Sequence, residues 1–158
     1  MGMFLFDAVV DTIVCLEGTQ VIGSFLAQEL TGAGVLSMNA HKTIYIVTPE
    51  YNSNSQMVFK ENILPMIRGK NVILLTASVT TGLALNKGIE SVLYYGGVLR
   101  GITAIFSALD EINGHKITSI FNKRDVPEYT FYDYRDCPFC KQGRKLEALV
   151  NSYGYTSL

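Results

Sequence analysis

Residues 71–85, NVILLTASVTTGLAL, run from an unbroken apolar block into a short hydroxyl-rich loop and then into a helical pattern. Val72–Leu75 shows no polar alternation, so both faces of this strand need cover, as in the centre of an α/β sheet. The loop Ser78–Gly82 (SVTTG) falls directly between strand and helix, where backbone N–H groups and the helix dipole converge on an anion. Thr80 and Thr81 add hydroxyl donors, and Gly82 lets the backbone come close to a phosphate. The same letters also suit an ordinary strand-to-helix turn with Ser or Thr as the N-cap. Local chemistry alone leaves both readings open.

The flanking sequence repeats this alternation of strand-length apolar runs and helical patterns, which points to βαβ units and a largely parallel sheet. DTIVCL (Asp11–Leu16) reads as a first strand closed by the turn-like EGT. QVIGSFLAQEL then places Val21, Ile22, Phe25, Leu26 and Leu30 on one helical face. TIYIV (Thr43–Val47) is a second strand, and TPEYNSNSQ after it reads as a polar, mobile loop. A helix is expected from about Thr81 to Tyr95, with Leu85, Ile89, Val92 and Leu93 inward. GGVLRGITAIFSAL and KITSIF supply a fourth and a fifth strand. Beyond Asp125 the periodicity stops in an aromatic tail, and LEALVNSYG is expected to form a short helix. The chain thus divides into an α/β domain, residues 1–128, and a tail, residues 129–158, packed on it.

At 158 residues the chain is long enough to bury a real core. Its apolar share of 48% implies either a sheet covered on both faces or a subunit interface. A net charge of −1 argues against a general nucleic-acid binder. The N-terminal run MGMFLFDAVVDTIVCL lacks a basic segment and carries Asp7 and Asp11, so it reads as neither a signal peptide nor a membrane span. Three cysteines are an odd number and make no secreted disulfide framework, so a cytoplasmic setting is expected.

Two further motifs carry alternative readings. GAGVLS (Gly32–Ser37) has the look of a dinucleotide fingerprint, but it follows a helix, and a helix cap explains it better. CPFC (Cys137, Cys140) has the spacing of half a zinc site, which two copies of the chain could complete as four thiolates; His115 and His41 are more remote ligands. Reduced thiols or a redox-labile pair are the alternatives. Cys15, in a strand, reads as core packing. Tyr129, Tyr132 and Tyr134 suit packing over the sheet or a partner, with nucleobase stacking as the alternative. Lys123, Arg124 and Asp125 read as a solvated turn.

The window VILLTASVTTGLA resembles the phosphoribosyl pyrophosphate motif of type I phosphoribosyltransferases, in which four apolar strand residues precede two acidic ones and a threonine-glycine loop. DTIVCLEGTQVIG is similar to the family's strand and pyrophosphate loop. GGVLRGITAIFS matches the strand after the motif helix, and KITSIFNKRDVPEY…DCPFCKQG is similar to the end of many orotate phosphoribosyltransferases. The resemblance spans Asp11 to Gly143. It implies a Rossmann-like three-layer core with a mainly parallel central sheet, a homodimer, and Mg²⁺-assisted displacement of pyrophosphate from phosphoribosyl pyrophosphate by a base. Carried over by position, Ser78, Val79, Thr80, Thr81 and Gly82 hold a 5′-phosphate, and Glu17, Gly18 and Thr19 form the pyrophosphate loop. Phe121 and Asn122 fall near the base pocket.

The departures from the pattern bear on catalysis. The acidic pair is replaced by Thr76 and Ala77, neither of which can be an anion. The loop expected to be basic reads VTPEYNSNSQ and adds Glu50. Glu17 places a carboxylate where pyrophosphate is expected, a repulsion of about 4 kcal/mol at 4 Å near a protein surface. Ala84 replaces the hydroxyl that usually closes the phosphate loop. Little precedes Asp11, so the hood over the base is expected to be reduced or missing, or the start truncated. Leaving pyrophosphate needs positive charge aimed at it, whereas a phosphate cradle built from backbone amides needs no particular side chain. The expectation is an orotate phosphoribosyltransferase-like protein that binds phosphoribosyl pyrophosphate or a nucleoside monophosphate with transfer weakened or lost. A non-catalytic sensor and a structural dimer partner are the alternatives.

Overall fold

The structure is a computed structural model and describes residues 8–32, 38–40, 42–133, 135–151 and 154–158. It resolves into two compact units, residues 1–125 and 126–158. In the first, the order is β1 (Thr12–Cys15), α1 (Gln20–Gly32), β2 (Tyr45–Val47), β3 (Glu50–Tyr51), β4 (Met57–Val58), β5 (Asn71–Val79), α2 (Leu83–Tyr94), β6 (Val98–Ser107), β7 (Glu111–Ile112) and β8 (His115–Asn122). A 3₁₀ turn, Leu64–Met66, leads into β5.

Six strands form one sheet in the order β2-β1-β5-β6-β8-β7. All neighbouring pairs are parallel except β7 with β8. The mainly parallel α/β sheet expected from the sequence is therefore what the chain forms. Alternation along β5 explains its apolar run. Val72 and Leu74 pack with Leu85, Ile89 and Val92 of α2, while Ile73 and Leu75 pack with Ile13, Cys15 and Leu30 on the α1 side. Each side chain of the apolar run Val72–Leu75 thus has a covered face, and Val72–Leu74 are fully buried. A polar clamp ties the strands at their N-terminal ends: Asp11 Oδ2 accepts from Asn71 N at 2.8 Å and Asn71 Nδ2 at 2.7 Å, and Arg100 donates to Asn71 Oδ1 at 2.7 Å. The described part of GAGVLS is Gly32, at the end of α1, and the rest lies outside the described residues.

Several expectations are corrected. On α1 the inward positions are Gly23 and Leu30, with Leu26 and Ala27 packed beside them. Val21 and Phe25 are instead 68% and 66% exposed, and Ile22 is also exposed. The reason is close approach: a Cβ added at Gly23 would lie 2.5 Å from Cys15 Sγ, so α1 rests on the sheet through its smallest residue. That rotation turns the larger apolar side chains outward. On α2, Leu93 is exposed as well, and the helix starts at Leu83.

The segment read as a mobile loop is an antiparallel ribbon, β3 with β4, closed by Asn52, whose Oδ1 accepts from Asn54 N and Gln56 N. Ser91 of α2 anchors it by donating to Met57 O at 3.0 Å. Glu50 is paired with Lys60 at 2.6 Å, so the negative charge noted in the sequence is locally offset. The pair is exposed and stabilises little.

In the second unit, Pro138–Lys141 makes one helical turn, and Ala148–Asn151 (β9) pairs antiparallel with Gly154–Ser157 (β10). LEALVNSYG thus feeds a hairpin instead of the expected helix. Val150 and, on the facing strand β10, Tyr155 and Thr156 are β formers, and the segment has no long apolar stripe to bury a helix.

Candidate functional site

The C-terminal ends of parallel strands are where α/β sheets place ligands, and here β1 ends beside Leu75 of β5, which runs on to Val79. The loop after β1 turns through two left-handed residues, Glu17 (φ 55°) and Gly18 (φ 78°). Thr19 then buries its hydroxyl, which donates to Leu16 O at 2.8 Å and Leu75 O at 3.3 Å. It holds the loop against β5. Glu17 projects to the end of β5, where its Oε2 accepts from Thr76 Oγ1 at 3.0 Å and lies 3.5 Å from Ser78 N.

After Val79 the chain crosses from β5 to α2 through Thr80, Thr81 and Gly82. Gly82 is the N-cap, takes φ 78°, and offers no side-chain acceptor to the amides of the first helical turn. The loop 78–82, together with Glu17 and Leu83–Leu85, lines a cleft of about 210 Å³. The residues proposed from the sequence for phosphate and pyrophosphate therefore do meet, except that Val79 and Thr19 are buried and Gly18 is absent from the lining. Gly82 has a second reason to be glycine. A Cβ there would sit 2.5 Å from Ile112 Cδ1 of β7.

The electrostatics differ from those of a pyrophosphate-handling pocket. The lining residues include one carboxylate and no Lys, Arg or His. Tyr51, on the ribbon, has its phenol pushed up by burial and then by the Glu17 charge, which places it within the field of that carboxylate. Thr76 is buried and Ala77 half-buried at the positions of the acidic pair. Among the described residues no group of three or more His, Cys, Asp or Glu converges. One carboxylate, already engaged by Thr76, does not suit Mg²⁺, which takes oxygen ligands in octahedral array.

A larger hollow of about 500 Å³ lies between the ribbon tip and α2, lined by residues such as Gln56, Lys87, Glu90 and Tyr94. It is separate in its lining from the strand-end cleft, and the sequence did not point to it. Asn122, beside the exposed Phe121, closes the turn read as solvated: Asn122 N donates to Asp125 Oδ2 and Arg124 N to Asn122 Oδ1, both at 2.8 Å.

In the second unit Cys140 N donates to Cys137 Sγ at 3.4 Å. The Cys140 side chain and backbone N–H hold the Cys137 thiol below its usual range, and the Cys140 thiol is raised by its hydrogen bond with Cys137. Cys15 behaves differently: burial pushes its thiol up to about 11. Tyr132 meets Phe139 edge-on at 5.8 Å, and Tyr129 lies 6.3 Å from Phe131. His115 opens β8, while His41 and Tyr134 lie outside the described residues.

Solved structures similar to this chain include the hypoxanthine phosphoribosyltransferase of Trypanosoma cruzi, at 14% identity and a TM-score of 0.53, covering 72% of this chain and 61% of that one. The adenine phosphoribosyltransferase of Thermoanaerobacter pseudethanolicus gives 16% identity and a TM-score of 0.52, covering 72% and 70%. The fold is that of the type I phosphoribosyltransferases. A K68R mutant of the Trypanosoma cruzi enzyme, complexed with the product IMP, matches at 15% identity and a TM-score of 0.51, covering 72% and 53%. The chain therefore spans less than two thirds of the length of the Trypanosoma enzyme it resembles. No family model matches the sequence, and no curated protein does. Among the described residues no helix of this phosphoribosyltransferase-like fold is long and apolar enough to cross a membrane.

Proposed function

We propose that the protein binds the 5′-phosphate of a phosphoribosyl compound or a nucleoside monophosphate at the Ser78–Gly82 loop, with phosphoribosyl transfer weakened or lost. The observation that carries this reading is the Glu17 carboxylate set against Thr76 Oγ1 at 3.0 Å, beside a cleft whose lining has hydroxyls and amides but no cation. A 5′-phosphate can be held by main-chain N–H groups at the start of α2. Departing pyrophosphate has no positive side chain in that lining to receive it, and losing one such donor typically slows a reaction by about a hundredfold or more.

The base is the finer part of the proposal. The tail CPFCKQG favours an orotate-type ligand, whereas the structural neighbours act on hypoxanthine and adenine by name. A homodimer and a cytoplasmic setting belong to the same reading. The exposed Val21, Ile22 and Phe25 strip on α1 is support for the first, and the odd, unpaired cysteine count for the second.

Calorimetry with ribose 5-phosphate, inosine and orotidine 5′-monophosphates, and phosphoribosyl pyrophosphate, each with and without Mg²⁺, tests the proposal. Metal-independent binding of the monophosphates without pyrophosphate release is expected. Binding of none of them leaves a structural role, and base-dependent pyrophosphate release establishes an active transferase.

A further inference from the structure

The second unit has an energetic deficit. Among its described side chains none is buried; only Tyr129, Cys137, Pro138 and Ala148 are even partly covered. Its hairpin presents Leu149, Val150, Tyr155 and Leu158 to solvent, with Val150 at 79% and Tyr155 at 75% exposure. Chains below about 40 residues rarely hold a fold without a metal, a disulfide or a partner, and an isolated two-stranded hairpin is marginal in water. Something outside the unit's own packing must stabilise it.

The turn around its two thiols is closed by hydrogen bonds. Cys140 N donates to Cys137 Sγ, Lys141 N to Cys137 O at 3.1 Å, and Gly143 N to Cys140 O at 3.0 Å, with Gly143 in the left-handed region at φ 69°. This winding puts both sulfurs on one chelating turn. An amide N–H aimed at a sulfur is the outer-shell contact that steadies a metal-bound thiolate. Two thiolates are half of the tetrahedral set that structural zinc takes. Among the described residues no third ligand joins them.

We propose that the Cys137–Cys140 turn is half of a structural zinc site, completed by the same two thiolates from a second copy of this chain. A twofold axis through the metal supplies an identical pair without any new residue type. The second copy also covers the apolar hairpin, which nothing in its own unit buries. Charge does not oppose the pairing, because residues 126–158 carry four acidic and four basic side chains. Lys141 adjoins Cys140 in the chain, and Arg144 follows the turn and lies 5.4 Å from the centre of the Phe139 ring. An internal Cys137–Cys140 disulfide would close only a very short loop and restrain the unfolded chain less than a longer one. It would leave the hairpin uncovered.

The full-length chain, purified without a metal-binding tag, is assayed for zinc by elemental analysis and for mass by light scattering, then exchanged with Co²⁺. The expected result is one metal ion for every two chains, a tetrahedral all-sulfur cobalt spectrum, and loss of that spectrum in the Cys137→Ser, Cys140→Ser double variant. The wild-type stoichiometry and spectrum decide the matter even if that variant fails to fold. One metal ion per chain, a spectrum with mixed ligands, or metal-free protein with free or disulfide-linked thiols overturns the proposal.

Discussion

The hydroxyl of Thr76 donates to the carboxylate of Glu17 across 3.0 Å, joining the C-terminal half of β5 to the loop after β1. A negative charge therefore stands at the strand end although neither residue of the expected acidic pair is an acid. It arrives from a neighbouring loop. The same carboxylate lies near Ser78 N, one of the amides at the entrance to the cleft, and faces any anion entering there.

Replacing Glu17→Gln keeps the bond from Thr76 and removes the charge. Binding of ribose 5-phosphate is expected to tighten roughly tenfold, and more at low salt. Calorimetry at two ionic strengths checks this; an affinity unaffected by the substitution means that Glu17 does not face the ligand.

Thr76→Asp with Ala77→Asp restores carboxylates at the strand end, but here they meet Glu17. Without metal the variant is expected to lose about 1–3 kcal/mol of stability through like-charge contact at a buried position. Mg²⁺ should recover much of that loss. A melting temperature that ignores Mg²⁺ argues that the three positions do not converge.

Thr103, fully buried in β6, has a hydroxyl with no hydrogen-bond partner among the described residues. Thr103→Val conserves shape and removes an unsatisfied polar atom, so a gain of about 1 kcal/mol is expected. That corresponds to a rise of about 2–4 °C in Tm, read by calorimetric melting.

Burial opposes ionisation of Asp11, but the two bonds from Asn71, with Lys70 and Lys42, outweigh it and hold the carboxyl below its ordinary 3.8. A carboxyl lowered in the folded state stabilises above its unfolded value and loses that contribution as pH falls through the folded one. Stability should therefore begin to drop below about pH 4. Asp11→Asn is expected to flatten this acid limb in urea titrations at graded pH.

Cys15 is fully buried and its thiol is raised to about 11, so it should resist alkylation in the native protein at pH 8. Mass mapping after iodoacetamide is expected to find Cys15 unmodified until denaturant is added. Early labelling there would mean that α1 does not rest on the sheet.

The order of the main strands and helices was readable because β5 and α2 carry their periodicity in side chains that, Leu93 apart, are buried where the pattern says. The face of α1 was not. Val21, Ile22 and Phe25 are larger than Gly23 and Ala27, which pack, and only the nearness of Cys15 to Gly23 reveals why the helix turns its smallest residue inward. The strand β7 was missed although Asn113 and Gly114, both at positive φ, spell a two-residue hairpin turn before His115. The ribbon β3–β4 was hidden because its polar tip looks like any loop, and its tether to Ser91 is a long-range contact. Of positions 78–82, Thr80–Gly82 form the expected strand-to-helix crossing, whereas Ser78 and Val79 are the last residues of β5 and pair with β6. The approach of Glu17 to Thr76, 59 residues apart in the chain, has no local signal at all.

Gly82 is wedged against Ile112 as well as twisted to a positive φ, so enlarging it would disturb the junction of α2 and β7 whether or not any ligand visits. Its substitution is therefore a probe of architecture. Recognition is better interrogated one step earlier, at Ser78, Thr80 and Thr81, which remain at least partly open to solvent and can be trimmed without unseating the helix.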